Sequence, residues 1–326
     1  MTPSDNDVLH RAANWPHDRD LAELTPERVL SIAATEGTDF ATALLYERIT
    51  KSPEHGPLIE RVDSLVDDDD GTTPPNTLLA IVPGAFYLEF PHTGADGRIL
   101  REEAHRMGMR SEMIPLRSFG QLSQNSRILT DWLATRPAVE TIILFSLSKG
   151  GSDVKTALAG PAAGRAFRNV AVWISLSGLL RGTPLADWVL RNRLRTLWFR
   201  LLLWWRRYDF CVVRELAYGP HTPLACDLRL PPHLRAIHVV GFPLERHLTN
   251  RLARRCYRRV KALGPNDGAG IILADVPRLP GAVYPVWGAD HYLRPAGSDM
   301  RGLARRLLRA ARDILAVTTP VSLAAR

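Results

Sequence analysis

Cysteine is scarce in this chain, and what there is does not pair. Only Cys211, Cys226 and Cys256 occur, an odd number without close spacing. That gives no sign of a disulfide framework, and three small thiols, buried or half-buried, are the expectation. Long apolar runs are missing too. The opening residues, MTPSDNDVLHRAANWPHDRD, lack the apolar stretch of a secretory signal. The most apolar segment, TLWFRLLLWW at 196–205, is interrupted by Arg200 and is too short to span a bilayer. A cytoplasmic protein is expected, one that meets membranes at most peripherally. No zinc-finger spacing, basic-aromatic RNA motif, metal motif or organic-cofactor motif occurs, and there is no internal repeat. Net charge is +8 and the pI about 9.8, but the arginines fall mainly after position 180. The charge is therefore regional, and nucleic acid is not an expected partner.

What is present is an ordinary globular composition, 45% apolar and 23% charged over 326 residues. That length supports one large domain with a generous core, or a domain with an appendage. Residues 1 to about 66 read as helical. Thr25-Pro26-Glu27-Arg28 has the form of a helix start, with Thr as cap and Pro at the first helical position. A second helix covers about 38–50. The segment DDDDGTTPPN at 67–76 then joins four carboxylates to Gly and two prolines, the signature of a solvated linker rather than a metal site.

Beyond the linker the pattern changes. Short, continuously apolar runs occur at 77–84 (TLLAIVPG), 141–151 (TIILFSLSKGG), 169–178 (NVAVWISLSG) and 236–243 (AIHVVGFP), with GIILAD at 270–275 a shorter candidate. Runs of this kind suit strands buried on both faces of a parallel sheet. Helical stretches lie between them: 99–108, which precedes a strand at 110–115, then 124–136, the segment after Ser148, and an Arg-rich amphipathic helix from about 298 to 316. This alternation predicts an α/β fold, a mostly parallel central sheet flanked by helices. Residues 1–75 form a helical extension and acidic linker in this reading, and 76–326 the main domain.

One motif carries chemistry. Ser146-Leu147-Ser148-Lys149-Gly150-Gly151 follows the apolar run IILF directly. Small residues two before and two after a serine let a strand turn sharply into a helix, which leaves that serine exposed at the tip. Ser146 and Gly150 meet this demand, so Ser148 is the expected nucleophile. The following helix brings its positive end to the site. Lys149 is expected to donate its backbone N–H, not its ammonium, to an oxyanion.

At this point the chain resembles the α/β-hydrolase superfamily, within it the lipase and esterase branch, over about residues 76–316. VPGAFY at 82–87 stands where that family keeps its oxyanion loop, with Pro83 in place of the usual His. The resemblance implies that Ala85 gives the second oxyanion N–H, with Phe86 the alternative. LSGLLRGTPLADW at 176–188 is similar to a loop of bacterial lipases. Arg181, Gly182, Thr183, Ala186 and Asp187 match it, and Leu179-Leu180 replace its Pro-His.

A serine hydroxyl needs a base, and the base needs a partner that fixes its tautomer. The family order is Ser, acid, His. His291, in a Gly-rich turn after VYPVW and before the last helix, stands where the family carries its base. His221, His233, His238 and His247 fit less well. The acid implied is Asp267, in an Asn-Asp-Gly turn, with Asp275 in reserve. Asp290 points the wrong way to orient its own neighbour.

A long insertion, about 183–234, separates two of the strands. Leu190, Leu194, Leu197, Trp198, Leu201, Trp205 and Tyr208 form one stripe on a helix. Six arginines lie away from it, with Phe199, Leu202 and Leu203 on their side. Such a helix suits a lid or a membrane-surface element, or else a packed cap with a charged outer face. The family places its lids here, over acyl-binding clefts. The expected function is hydrolysis of a carboxylic ester with an apolar acyl part. Thioester hydrolysis or acyl transfer on the same triad is the alternative, and a non-catalytic binding protein of this fold the other. An anionic lipid surface is a second expected contact.

Overall fold

The computed structural model describes residues 4–65, 73–294 and 299–318. The acidic run Asp67–Asp70 lies outside the described residues. Four helices come first: α1 (Asp5–Ala13), α2 (Pro26–Glu36), α3 (Thr38–Lys51) and α4 (Gly56–Ser64). Thr25 caps α2, its hydroxyl accepting Arg28 N–H at 3.2 Å, with Pro26 at the first helical position. Then follow β1 (Thr77–Val82), α5 (Arg98–Arg106), β2 (Arg110–Met113), α6 (Leu122–Ala134), β3 (Thr141–Leu147), α7 (Lys149–Leu158), α8 (Ala163–Ala166) and β4 (Val170–Leu176). The insertion holds α9 (Pro184–Leu190), α10 (Arg193–Trp205) and α11 (Cys211–Glu215). The chain closes with β5 (Arg235–Phe242), α12 (Arg251–Val260), β6 (Ala282–Trp287) and α13 (Met300–Thr318).

The six strands form one parallel sheet in the order β2-β1-β3-β4-β5-β6. Successive strand side chains point to opposite faces, and both faces are apolar. Leu79, Ile81, Ile143 and Phe145 join α1–α5 and α13 in one core. Ala80, Val82, Ile142 and Leu144 join α6, α7 and α8 in the other. Burial on both sides is why these strands read as continuous apolar runs.

The N-terminal helices are part of this core. Val8, Ile32, Leu44 and Ile49 are buried with Val283 of β6 and Leu308 of α13. Asp5 adds a polar clamp. Its carboxylate accepts Arg246, His247 Nε2 at 3.0 Å and the Trp287 indole N–H at 3.0 Å.

One expected strand is absent. GIILAD makes a single bridge, Asn266 with Ile272, and then a 3-10 helix at Leu273–Arg278. The sixth strand is instead AVYPVW, whose Pro285 is tolerated because β6 lies at the sheet edge. Among the described residues no helix is long and apolar enough to cross a membrane.

Candidate active site

Ser148 sits between β3 and α7 with φ 48° and ψ −116°. A left-handed backbone is costly for any residue with a Cβ and persists only where its surroundings enforce it. Here they do. Ser148 N–H donates to Leu176 O at 2.9 Å, and Ser148 O accepts Leu179 N–H at 3.1 Å. A Cβ on Gly150 would lie 2.6 Å from Val82 O and 2.7 Å from Pro83 O, so only glycine lets α7 pass β1 this closely. Ser146, the small residue two before Ser148, is fully buried and accepts the Trp173 indole N–H at 2.9 Å.

The turns after other strands converge on Ser148. His291, which follows β6, places Nε2 2.9 Å from Ser148 Oγ. Its Nδ1 lies 2.5 Å from Asp267 Oδ2. The other oxygen, Oδ1, accepts three backbone N–H groups, from Ala269, Gly270 and Ile271, at 2.9–3.0 Å. These bonds hold the carboxylate rigidly, and His291 N–H donates to Asp267 O at 2.9 Å as well. Burial alone would lower the His291 pKa, but the adjoining Asp267 carboxylate outweighs it and the net shift is upward.

The remaining candidates are occupied elsewhere. Asp275 accepts the Tyr218 hydroxyl at 2.8 Å. Asp290 caps its own loop by accepting Tyr292 and Arg294 N–H. His238 is buried in β5, its Nε2 3.0 Å from Pro280 O, and desolvation pulls its pKa down to about 4. His233 lies against Phe167 O and His247 against Asp5.

Two backbone donors remain near Ser148. Lys149 N–H opens α7, where the first N–H groups have no intrahelical acceptor. In the 82–87 loop, Phe86 N–H is committed to Ser118 O at 3.0 Å, whereas Ala85 N–H has no acceptor among the described residues. Of the two loop candidates, Ala85 is the one left free. The Lys149 side chain is buried and turned to Asp153, at 2.8 and 3.0 Å. Burial pushes Asp153 up to about 6, against the pull of that ammonium.

Ser148 and His291 open into a cavity of about 480 Å³. Its walls come from the 85–100 segment, the loop after β6 and one face of α13, including Leu100, Met300, Leu303 and Leu307. No residue of 183–234 lines it. That insertion instead braces the loop after β1. Tyr208 hydrogen-bonds Glu89, whose other oxygen accepts the Ser118 hydroxyl at 2.5 Å, and the Tyr208 ring meets Phe86 and Phe119 edge-on at 5.5 and 5.8 Å, two rings that stack on each other. Sequence reasoning did not find Glu89 or Ser118, because their partners lie far away in the chain. Asp153 could have been found, since a lysine paired at i,i+4 on a helix is a local signal.

Chemically, this arrangement lets an imidazole take a proton from a hydroxyl. A carboxylate holds the ring, and two N–H groups are available to a developing oxyanion.

No protein-family model matches the chain, and no curated protein sequence does. Among solved structures it is similar to a metagenomic carboxyl esterase, with 21% identity over 76% of this chain and 78% of that one, and a TM-score of 0.56. A Bacillus licheniformis lipase in its mature form is 20% identical over 78% of this chain and 96% of that one, with a TM-score of 0.49. A tomato methylketone synthase complexed with 2-tridecanone is 15% identical over 73% of this chain and 99% of that one, with a TM-score of 0.40. At such identities the likeness is one of architecture. With its single parallel sheet covered by helices on both faces, the chain has the α/β-hydrolase fold.

Proposed function

We propose that the protein is a serine hydrolase acting on carboxylic esters with an apolar acyl part. The observation that carries this is the unbroken hydrogen-bonded chain from Ser148 Oγ through His291 to Asp267 at an apolar cavity. In this reading Ser148 Oγ attacks the ester carbonyl while His291 Nε2 accepts its proton. The Ala85 and Lys149 N–H groups stabilise the tetrahedral oxyanion. Collapse expels the alcohol, which takes the proton from His291. Water, activated by the same imidazole, then releases the acid and restores Ser148. Asp267 keeps the imidazole in the tautomer this requires.

The cavity falls within the range of about 300–1,000 Å³ common for ligand sites. Its leucine and methionine lining favours an alkyl chain over a polar acyl group, each buried methylene contributing up to about 0.8 kcal/mol. The 183–234 insertion acts as a cap that braces the oxyanion loop through Tyr208 and Glu89.

A fluorophosphonate probe tests the nucleophile. We expect stoichiometric labelling of wild type and none of Ser148→Ala. Undiminished labelling of that variant would remove Ser148 from the reading. A p-nitrophenyl ester series tests the acyl preference. Here kcat/KM is expected to rise from acetyl to medium chains, and a flat or falling series would count against an acyl cavity.

A further inference from the structure

Helix α10 has two apolar faces, and only one is used. Phe199 and Leu203 turn inward and join Val212 and Leu216 in a core shared with Phe119 and Leu122. Leu194, Leu197, Trp198, Leu201, Trp204 and Trp205 share the opposite face at helical spacing, and each is between 54% and 79% exposed. Single exposed leucines are unremarkable in a globular protein. Six large apolar side chains on one helix face form a continuous patch that marks a contact site. A cap packed on the core would instead turn a charged face outward.

The charge around the patch indicates what covers it. From Trp188 to Tyr208 there are six arginines and no acidic residue. None of the six forms an ion pair among the described residues. Arg191, Arg193, Arg200, Arg206 and Arg207 are exposed around the stripe. The nearest carboxylates in sequence are already engaged, Asp187 by Tyr218 N–H and Asp209 by Cys211 N–H.

We propose that α10 docks the protein on an anionic lipid surface. The leucines and indoles would enter the interfacial layer, and the arginines would meet lipid phosphates. Indole suits that layer because one edge is apolar and its N–H needs a wet partner. A second copy of the chain would serve poorly, because a two-fold pairing of this face sets arginines against arginines. The proposal does not depend on ester hydrolysis, and α10 lines no part of the Ser148 cavity.

Flotation with phosphatidylcholine vesicles, with and without phosphatidylglycerol, tests it. Wild type is expected to float with the anionic vesicles, hardly at all with the zwitterionic ones, and several-fold less in about 0.5 M salt. Its tryptophan emission should shift to the blue on binding. The Trp198→Ser/Trp204→Ser/Trp205→Ser and Arg193→Glu/Arg206→Glu/Arg207→Glu variants should each bind about tenfold more weakly or less. Both should keep wild-type unfolding temperatures and turnover of a short soluble ester. The proposal is overturned if wild type ignores anionic vesicles at low salt, or if both folded variants bind as wild type does. It is also overturned if light scattering shows wild type self-associating through this face while the tryptophan variant is monomeric. Loss of fluorophosphonate labelling with lipid binding intact would sink the hydrolase reading and leave this one standing.

Discussion

The Trp173 indole N–H donates to Ser146 Oγ at 2.9 Å, joining β4 to β3 two residues ahead of Ser148. Both side chains are fully buried. The bond explains a serine where a strand-to-helix elbow usually carries glycine. Ser146→Ala should leave a buried donor unpaired, at a cost of about 1–3 kcal/mol. Thermal unfolding should register a drop of several degrees, with ester turnover changed little. If instead Ser146→Ala abolished turnover and Ser148→Ala did not, Ser146 would be the nucleophile.

Ser148 and His291 should behave as one unit. Ser148→Ala is expected to lower turnover by on the order of a thousandfold or more, with the fold intact by circular dichroism. Adding His291→Ala should cost little more, since each loss already disables the same step. Multiplying losses in the double variant would argue that the two residues act separately.

The environment of His291 sets a pH dependence. Only the neutral imidazole accepts the Ser148 proton, and the Asp267 carboxylate holds its pKa above the ordinary 6.5. Activity should therefore rise with pH through a midpoint above 6.5 and be lost on acidification through that midpoint. Asp267→Asn removes the charge that raises the pKa. The midpoint of kcat/KM should then fall while kcat drops sharply. An unmoved midpoint in that variant would detach Asp267 from the base.

Gly150 offers a steric test. An added Cβ meets two backbone carbonyls at 2.6 and 2.7 Å, atoms that cannot rotate away. Gly150→Ala should shift the start of α7, cost about 1–3 kcal/mol of stability, and lower turnover at least about tenfold. Turnover near wild type would show that the elbow tolerates displacement of its helix.

Much of this was legible in the sequence. The runs that became β1, β3, β4 and β5 are apolar because both faces of the sheet are covered, and the Ser148 elbow leaves a local pattern in Ser146 and Gly150, although its backbone is held by bonds to Leu176 and Leu179. GIILAD misled because a short apolar run has no distinguishing period, and from Leu273 it turns into a 3-10 helix instead of joining the sheet. The edge strand β6 was masked by Pro285. Of the expected stripe, Leu194, Leu197, Trp198, Leu201 and Trp205 do share one face of α10, joined by Trp204, but a break precedes that helix, so Leu190 falls in α9 and Tyr208 beyond the end of α10, both packed inward. Which way it faced was not legible, since Phe199 and Leu203 supply a second apolar face and packing chose between them. The Glu89–Tyr208 contact joins residues 119 positions apart and leaves no local trace.

The clamp on Asp5 has a consequence for how the chain is made. It ties the fifth residue to the 287th, and the helices beside it share their core with β6 and α13. During synthesis α1–α4 emerge well before β6 and α13. At about 5–20 residues per second, the apolar faces of Val8, Ile32, Leu44 and Ile49 wait on the order of ten seconds or more for the strands that cover them. Through that interval the nascent chain carries exposed hydrophobic surface on these helices, the condition under which chaperones are engaged and overexpressed chains aggregate.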